Sequence, residues 1–482
     1  MHDHRKRPDL MMASIVVLFV VSGCGHASTV PHYSGGALGD NSTRASTAFA
    51  VPASGRLLTW MFVPPHNSWD GNPIVRTMLD FGVVNQSEQA GQQSQRLFQI
   101  GVTSIEYTNP NRQAESDEPN PEYTSDELTF AHPPPDAQAV ARCFPDPDNR
   151  LFRLYYNRRY FQMQPDSQHL ARLWANEIIN FASPTRPPKW HWAYGGERSF
   201  VFEDVADNID SLNGVPCGFE SHENWTNLSI QLLANTNAAY RARFGQDMPG
   251  VIYNGLDPIM SSDPRPAIGL NASPYVVGGL AENCYVRAAG AATIPVQDMT
   301  PSHSPWSALE NTEILMAHAQ KLFICLGSAP PGRYARRLTH QRLYQVASFL
   351  LTVDLNTSIF SQAYPTQSHF QVFPESLIAP TNPAVPQPTS IAGLIIASKG
   401  GSDLYGREYL SCPVDGVNFT RCYVVVNPST SDIAFRWPAK YVSTIKLSGS
   451  DLLDPPALIS TSGPPPPAIV AAGTAVIALP KN

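Results

Sequence analysis

The segment FVFEDV (Phe200–Val205) is strand-like and apolar until it ends on two adjacent carboxylates, Glu203 and Asp204. The segment VVGGLAEN (Val276–Asn283) has the same layout and reaches its carboxylate at Glu282. In a parallel sheet, the polar groups that follow the strands meet at one edge, which is where α/β barrels carry their reactive side chains. The two segments therefore predict a parallel sheet with carboxylates along one rim.

Strand-like segments alternate with helix-like segments from residue 55 to about residue 365. Several of these strands are apolar on both faces, as is typical of strands that are buried on both sides. Eight such units over about 310 residues favour a closed (β/α)8 barrel over an open sheet. The predicted strands are Leu57–Phe62, Thr103–Tyr107, Leu151–Tyr156, Phe200–Val205, Val251–Tyr253, Val276–Leu280, Leu322–Leu326 and Thr357–Phe360. Trp190–Tyr194 competes with the third of them for its place.

Helical periodicity fills several of the intervals between these strands. Asp166 or Ser167 is expected to cap the first helix, and Gly245 is expected to end the second. The predicted helices contain Leu170–Ile178, Asn224–Phe244, Ser307–Gln320 and Thr339–Leu351.

The pattern changes from about residue 385, where strand-like segments follow one another without helices between them. Short strands separated by turns are typical of an all-β domain, and we expect a small C-terminal β-sandwich. The predicted domains are therefore a (β/α)8 barrel over residues 53–380 and a β-sandwich over residues 385–482.

The N-terminal residues have the features of an export signal. Arg5-Lys6-Arg7 is basic, Met11–Val21 is an apolar or small-residue run, and small residues precede Cys24. This arrangement resembles the lipobox of bacterial lipoproteins, which implies cleavage before Cys24 and a lipid on its thiol. The alternative is an ordinary signal peptide with an incidental cysteine.

The lipobox resemblance predicts a signal peptide over residues 1–23 and a flexible tether over residues 24–52. We then expect an exported lipoprotein of the bacterial cell envelope, periplasmic or surface-facing, that contacts the membrane through its anchor.

The composition excludes several other functions. The net charge is −7 and charged residues make up 15% of the chain, so no basic stripe is available for a nucleic-acid partner.

Several sequence motifs are also missing. No zinc-type spacing of Cys and His occurs, no GxGxxG follows a strand, and no Gly-x-Ser-x-Gly elbow appears. We expect no metal and no cofactor, disfavour deacetylase or lyase chemistry, and expect a monomer.

The cysteines after Cys24 allow disulfides in an exported protein. Cys412 and Cys422 flank a turn between two strand-like segments, which predicts a bridge across a hairpin. The sequence leaves open whether the other four are bridged or buried thiols; they are Cys143, Cys217, Cys284 and Cys325.

The predicted rim carries two carboxylates, which are the groups needed to cleave a glycosidic bond. That reaction needs one carboxylic acid to protonate the leaving oxygen and a second carboxylate as nucleophile or as base for water. Asp204, after the fourth strand, is predicted as the nucleophile or base, and Glu282, after the sixth, as the acid. Alternation sends Glu203 and Asp204 to opposite faces and places Asp204 with Phe200 and Phe202, so Glu203 is only the alternate catalytic residue. The competing interpretation is solvated loop residues or helix caps.

Other residues near the strand ends are candidates for substrate binding. Asn254 could hydrogen-bond a sugar hydroxyl, and Trp60 and Trp192 are the leading candidates for aromatic platforms that stack on sugar rings. The alternative for each aromatic residue is a place in the core. The complete set of predicted substrate-binding residues is Trp60, Glu106, Trp192, Tyr253, Asn254 and Tyr285.

The order of three short motifs resembles the glycoside-hydrolase barrels called hypothetical glycosyl hydrolase family fifteen. The motifs are FEDV (Phe202–Val205), VIYNG (Val251–Gly255) and GGLAE (Gly278–Glu282), followed in a β domain by GREY (Gly406–Tyr409) and YVVVNP (Tyr423–Pro428). The likeness covers roughly residues 55–480 and implies a carbohydrate-active barrel without a known substrate. Glu203 stands where the family's strand motif has its first Asp, which leaves open whether Asp204 alone carries the role.

The leading hypothesis from the sequence is a surface-anchored glycosidase that acts on a polysaccharide or glycoconjugate. The alternative is a non-catalytic lipoprotein that displays a carbohydrate- or partner-binding surface.

Overall fold

The computed structural model describes residues 57–63, 80–84, 103–114, 131, 144–145, 151–155, 158–182, 200–203, 219, 221–256, 266–289, 292–299, 304–327, 339–361, 374–415, 417–448 and 458–481. The predicted signal peptide (1–23) and tether (24–52) lie outside these residues. Within the described part of the chain, no helix is long and apolar enough to cross a membrane.

The strands of the first part are β1 (Leu58–Val63), β2 (Phe81–Val84), β3 (Thr103–Thr108), β4 (Arg112–Ala114), β5 (Phe144–Pro145), β6 (Leu151–Tyr155), β7 (Arg158–Gln162), β8 (Phe200–Glu203), β9 (Gly250–Asn254), β10 (Val276–Ala281), β11 (Val286–Ala289), β12 (Ala292–Pro295), β13 (Leu322–Leu326) and β14 (Ser358–Ser361). Those of the C-terminal part are β15 (Thr381–Pro383), β16 (Ile395–Lys399), β17 (Ser402–Val414), β18 (Val417–Phe419), β19 (Cys422–Asn427), β20 (Ile433–Ala434), β21 (Tyr441–Thr444), β22 (Lys446–Ser448), β23 (Leu458–Ser460), β24 (Ile469–Val470) and β25 (Thr474–Pro480). The described α-helices are α1 (Gln168–Ala182), α2 (His222–Phe244), α3 (Pro305–His318) and α4 (Thr339–Thr352), and 3-10 helices span Pro266–Ala272, Pro374–Leu377 and Ile391–Leu394.

Eight parallel strands pair in the order β1-β14-β13-β10-β9-β8-β3-β2 and form a closed barrel, because β1 pairs with both β14 and β2. In chain order, β8 is the fourth of these strands and β10 is the sixth, as predicted. Described helical segments connect the strands from β3 to β14, and the connection from β9 to β10 contains a 3-10 helix. The connections from β1 to β3 lie largely outside the described residues, so the described part shows the helices of a (β/α)8 barrel only in part.

The sequence predicted one barrel strand wrongly. The segment at Leu151–Tyr155 is not in the barrel; as β6 it belongs to a four-stranded antiparallel sheet of order β4-β7-β6-β5. Tyr155 pairs with Arg158, so the link from β6 to β7 is a tight hairpin, whereas a parallel partner needs a long crossover. The missing barrel strand is β2, whose four residues include Gly82 and give little strand signal. The competing segment Trp190–Tyr194 lies outside the described residues.

Side chains alternate between the inside and the outside of the barrel. Phe200 and Phe202 of β8 belong to the interior cluster, whereas Val201 packs in the large outer cluster with α1. The buried interior residues are Leu58, Trp60, Phe81, Ile105, Phe200, Phe202, Ile252, Leu280, Leu322, Ile324, Leu326 and Ile359. This filling leaves the C-terminal rim as the place where polar side chains can converge.

The predicted helices are present with the expected caps. Ser167 Oγ accepts a hydrogen bond from the Leu170 amide at 3.2 Å at the start of α1. Helix α2 begins after Ser221 and ends at Gly245, which has a φ of 71°.

The C-terminal part contains a seven-stranded antiparallel sheet in which β15, β17, β19, β25 and β21 pair in that order. Strands β16 and β18 also pair with β17. Val424 and Ile477 on one face pack in the same cluster as Phe349 of α4, so a barrel helix covers that face. The opposite face carries a smaller cluster that includes Val425, and the short pair β20–β24 contributes Ile433 to it. The domain thus differs from the predicted sandwich, because a helix and short strand pairs cover the sheet where a second full sheet was expected.

The predicted hairpin bridge is confirmed. Cys412 and Cys422 form a disulfide with a Cα–Cα distance of 5.8 Å, at the start of the β17–β19 pairing.

Candidate active site

Glu282 lies at the C-terminal rim of the barrel, directly after β10. Leu280 belongs to the interior cluster and Ala281 to the outer one, so alternation places residue 282 on the interior side. Its side chain is half-buried. On the neighbouring strand β9, the side chain of Asn254 donates from Nδ2 to Glu282 Oε2 at 3.4 Å. The structure therefore brings together two of the predicted site residues at one rim.

Two positions in β10 must be glycine, because residues of the neighbouring barrel strands lie too close to admit a Cβ atom. A Cβ on Gly279 would lie 2.8 Å from the ring of Tyr253, and a Cβ on Gly278 would lie 2.5 Å from the carbonyl oxygen of Leu322. Only glycine allows these approaches, so the GG of the motif fixes how closely β10 packs on β9 and β13.

A disulfide that the sequence left open lies two residues after Glu282. Cys284 is bonded to Cys325 of β13, with a Cα–Cα distance of 5.2 Å. The Cys284 amide also donates to the carbonyl of Leu326 at 3.1 Å. These two links tie the segment that follows Glu282 to the rim of the next strand. Cys143 and Cys217 lie outside the described residues.

Tyr253 and Tyr285 are in the core and not on the rim, contrary to the prediction that they bind substrate. Both side chains are 0% exposed. The Tyr253 hydroxyl donates to Asn271 Oδ1 at 3.3 Å, and the Tyr285 hydroxyl donates to Glu313 Oε2 at 3.1 Å. The reason is again alternation: Tyr253 follows the inward-facing Ile252 and so faces the outer layer.

Trp60 is also buried, at 2% exposed, inside the barrel. Its ring packs edge to face on Phe202, with 5.6 Å between the ring centroids. Trp60 is therefore a core residue of the barrel and not a platform for sugar stacking. A core position is the alternative that the sequence analysis gives for each aromatic candidate.

Glu203, the alternate catalytic residue, is on the outer side of β8 and is 1% exposed. Its partner is Asn111, whose Nδ2 donates to Glu203 Oε1 at 2.6 Å. Burial raises the pKa of Glu203 to about 7, and the hydrogen bond from Asn111 partly offsets this effect. Sequence reasoning missed Asn111. The available signal was its place in the Asn-Pro-Asn turn after β3, because β3 pairs with β8 in the barrel.

The remaining predicted residues lie wholly or partly outside the described residues. The structure does not describe Asp204, Trp192 or Cys24. It describes only the backbone of Glu106, in β3. Their roles stay predictions. Within the described part of the chain, no group of three or more His, Cys, Asp or Glu side chains could hold a metal ion.

A second group of buried carboxyls lies between α3 and α4. Glu310 and Glu313 of α3 are both 0% exposed, and Thr352 Oγ1 lies within hydrogen-bond distance of both, at 2.6 Å from Glu310 Oε2 and 3.0 Å from Glu313 Oε2. Burial is the main cause that raises the pKa of Glu313, to about 8. Burial, followed by repulsion from Glu313, holds the pKa of Glu310 well above its usual range. The group anchors Tyr285, which has a φ of 61°, and through it the segment after Glu282.

No protein-family model matches the chain, and no curated protein matches its sequence. Among solved structures, the chain is similar to the glycoside hydrolase domain of PelA from Pseudomonas aeruginosa, with 11% identity, a TM-score of 0.36 and coverage of 65% of this chain and 98% of that chain. It is also similar to a trehalulose synthase mutant in complex with Tris, with 12% identity, a TM-score of 0.43 and coverage of 90% and 100%. An isomaltulose synthase mutant from Erwinia rhapontici NX5 in complex with D-glucose gives 6% identity, a TM-score of 0.43 and the same coverage. At these values the likenesses assign neither a substrate nor catalytic residues.

Proposed function

We propose that the chain is a glycoside hydrolase of the (β/α)8 type that acts on a polysaccharide or glycoconjugate. The observation that carries the proposal is the contact of Glu282 with Asn254 at the C-terminal rim of a closed parallel barrel. Reactive groups of such barrels lie at this rim, and a half-buried carboxyl there can exchange a proton with a bound ligand.

The proposed role of Glu282 is the acid that protonates the leaving oxygen. An amide that donates to the carboxyl orients it for transfer of a proton to the leaving oxygen. A neutral donor such as Asn254 does this without the charge of a Lys or Arg, which would favour the ionised form. Asn254 is also proposed to hydrogen-bond a hydroxyl of the sugar.

The proposed second carboxylate is Asp204, as nucleophile or base. Phe200 and Phe202 face the barrel interior, and Val201 and Glu203 face outward. Continuation of this alternation by one residue would direct Asp204 to the interior side, where Glu282 lies. The separation of the two carboxyls decides the stereochemistry, since retaining enzymes need roughly 5–5.5 Å and inverting enzymes roughly 6.5–9.5 Å.

We further propose that Cys24 carries a lipid and anchors the protein to the bacterial envelope. The support is the sequence of residues 5–24. Mass spectrometry of the mature N-terminus tests this directly, because a lipidated Cys24 adds the mass of its acyl chains. An unmodified N-terminus at another residue contradicts it.

The function is tested with the full chain purified in mild detergent. Release of reducing ends is measured on neutral, acidic and amino-sugar polysaccharides, for the wild type and for Glu282→Gln and Asp204→Asn. Both variants are expected to lose at least about 10²-fold in kcat, the usual contribution of a positioned acid or base. Glu223→Gln, an exposed carboxyl in the first turn of α2, is the matched control and is expected to keep full activity. Undiminished activity in both site variants contradicts the assignment.

The same samples separate the enzyme from a non-catalytic binding surface. Binding to a polysaccharide is measured alongside turnover. Retained binding with lost turnover in the two variants supports hydrolysis. Binding by the wild type with no turnover on any member of the panel supports the binding module.

A further inference from the structure

Glu203 and Asn111 are joined by one hydrogen bond, yet each side chain also has one buried oxygen that accepts none. Asn111 Nδ2 donates to Glu203 Oε1 at 2.6 Å. Glu203 Oε2 and Asn111 Oδ1 are both buried and have no hydrogen-bond partner. An ionised carboxylate brings no donor to this site, so two acceptors would lie buried without a proton, and each such group costs about 1–3 kcal/mol.

A single proton on Glu203 removes this conflict. A carboxylic acid can donate from Oε2 to Asn111 Oδ1 while Oε1 accepts from Nδ2, which completes a two-bond ring between acid and amide. We propose that Glu203 is an uncharged carboxylic acid in a reciprocal pair with Asn111, and that this pair positions the rim of β8 directly before Asp204. The positioning half of the proposal rests on the proposed function, whereas the pair itself does not.

The surroundings of Glu203 favour the uncharged form. Four polar residues on the described elements near it are Thr108 of β3, Gln162 of β7, Trp174 of α1 and Tyr253 of β9, and none of these four carries a charge near neutral pH. Burial is the main cause of the raised pKa of Glu203, and among the described residues only the hydrogen bond from Asn111 acts on it besides, in the lowering direction. A charged partner among the described residues therefore does not hold Glu203 in its ionised form.

Two side-chain hydrogen bonds between the described residues link the end of β8 to the end of β3 and the turn that follows it, and the pair supplies one of them. Thr108 Oγ1 donates to the carbonyl of Phe202 at 3.0 Å, and Trp174 of α1 donates from Nε1 to Thr108 Oγ1 at 3.2 Å. Asn111 is fixed in turn, because its carbonyl accepts from the Met163 amide at 3.1 Å. The end of β8 is thereby tied to the β3 turn and, through Thr108, to α1.

The pair is tested by the pH dependence of thermal stability in Glu203→Gln. Glutamine has the shape of the protonated acid and can make both bonds, but it cannot ionise. The wild-type pKa is raised from 4.5 to about 7, so the folded state resists ionisation and wild-type stability is lost as pH rises from 4.5 to 7. We expect equal melting temperatures near pH 4.5, a variant that becomes several degrees more stable by pH 7, and a constant difference above that pH. A variant that is less stable than the wild type between pH 5 and 9 overturns the proposal, since it means that an ionised Glu203 is held by a cation or another donor.

A second measurement does not depend on stability. The infrared difference spectrum of wild type minus Glu203→Gln at pH 6 is expected to show the carbonyl band of a protonated carboxyl, which disappears by pH 9. Other buried carboxyls cancel in this difference. Absence of the band at pH 6 overturns the pair even if the variant is unstable.

The positioning role is tested by rescue. Glu203→Leu removes both bonds and is expected to lower kcat at least 10-fold with little change in KM, and Glu203→Gln is expected to restore most of that loss and to extend activity to higher pH. Equal kcat in wild type and Glu203→Leu contradicts positioning while the pair stands. Absence of activity in the wild type contradicts the proposed function and with it the positioning role, and leaves the stability and infrared results to decide the pair.

Discussion

Asn254 Nδ2 contacts Glu282 Oε2 at 3.4 Å across the adjacent barrel strands β9 and β10. Asn254 is 5% exposed and Glu282 is half-buried, so the amide supports the carboxyl from the barrel side while the carboxyl reaches the rim. The contact joins two residues of the proposed site that lie 28 positions apart in the sequence.

Asn254→Ala removes the donor to Glu282. We expect kcat to fall about 10- to 100-fold, because the acid loses its orientation, with a smaller change in stability. Steady-state kinetics on the polysaccharide that the wild type cleaves best provide the measurement. Asn418→Ala, at an exposed asparagine of β18, is the matched control and should leave kcat unchanged. A loss of the same size in both variants would show that the effect is not local.

The two disulfides differ in their distance from the proposed acid. The Cys284–Cys325 disulfide joins residues 41 positions apart, and the Cys412–Cys422 disulfide joins residues 10 positions apart. Replacing both cysteines of a pair by Ala removes this constraint on the unfolded chain. In the chain-entropy model the losses of unfolding free energy are about 4 and about 3 kcal/mol. Only the first pair lies beside Glu282, so only its loss is expected to lower kcat under conditions in which both variants are folded. Equal kcat values in the two variants would show that the Cys284–Cys325 disulfide does not help to position Glu282.

The buried carboxyls between α3 and α4 should make the protein less stable at neutral pH than at mildly acidic pH. The pKa of Glu313 is raised from 4.5 to about 8, so its contribution is fully present below pH 4.5 and is lost as pH rises to 8. Glu313→Gln keeps an oxygen for the hydroxyls of Tyr285 and Thr352 and is expected to increase the unfolding free energy at pH 7 by about 3 kcal/mol. Urea denaturation at pH 5 and pH 7 measures this, with Glu223→Gln as an exposed control. A variant that is less stable at pH 7 contradicts the direction.

The glycines of β10 give a prediction about packing. Gly279→Ala places a Cβ 2.8 Å from the Tyr253 ring, and the ring has no free space because Tyr253 is 0% exposed. We expect a loss of about 1–3 kcal/mol in unfolding free energy. At Gly393 the nearest atom to an added Cβ is 3.9 Å away, so Gly393→Ala should be within about 0.5 kcal/mol of the wild type. Denaturant titration of the two variants compares them directly.

The sequence predicted the barrel strands whose signal is strong and local. Leu322–Leu326 is fully apolar and has the predicted bounds, and β8 and β10 hold the predicted fourth and sixth places. The strand Phe81–Val84 was missed because it is short and contains a glycine, and its partners β1 and β3 specify it through pairing that a linear pattern does not contain. The hairpin at Leu151 was assigned to the barrel because its apolar pattern is the same in both kinds of sheet.

The candidate site was predictable where side-chain alternation decides it. Alternation placed Phe200 and Phe202 inside and Glu203 outside, and the structure agrees. The aromatic residues Tyr253 and Tyr285 were predicted at the site because they lie near strand ends, but their burial depends on the helices and on Glu313, which are far away in the sequence. Asn111 was missed for the same reason, since its contact with Glu203 spans 92 positions.

The central claim, that Glu282 is the acid of a glycosidase, is tested most directly by the leaving-group dependence of Glu282→Gln. Hydrolysis rates are compared for a dinitrophenyl glycoside, whose leaving group departs without protonation, and for the same sugar carried on an alkyl alcohol, which must be protonated. The variant is expected to lose at least about 10²-fold on the alkyl glycoside and less than about 10-fold on the dinitrophenyl glycoside. Equal losses on the two substrates, or no loss on either, would contradict the claim.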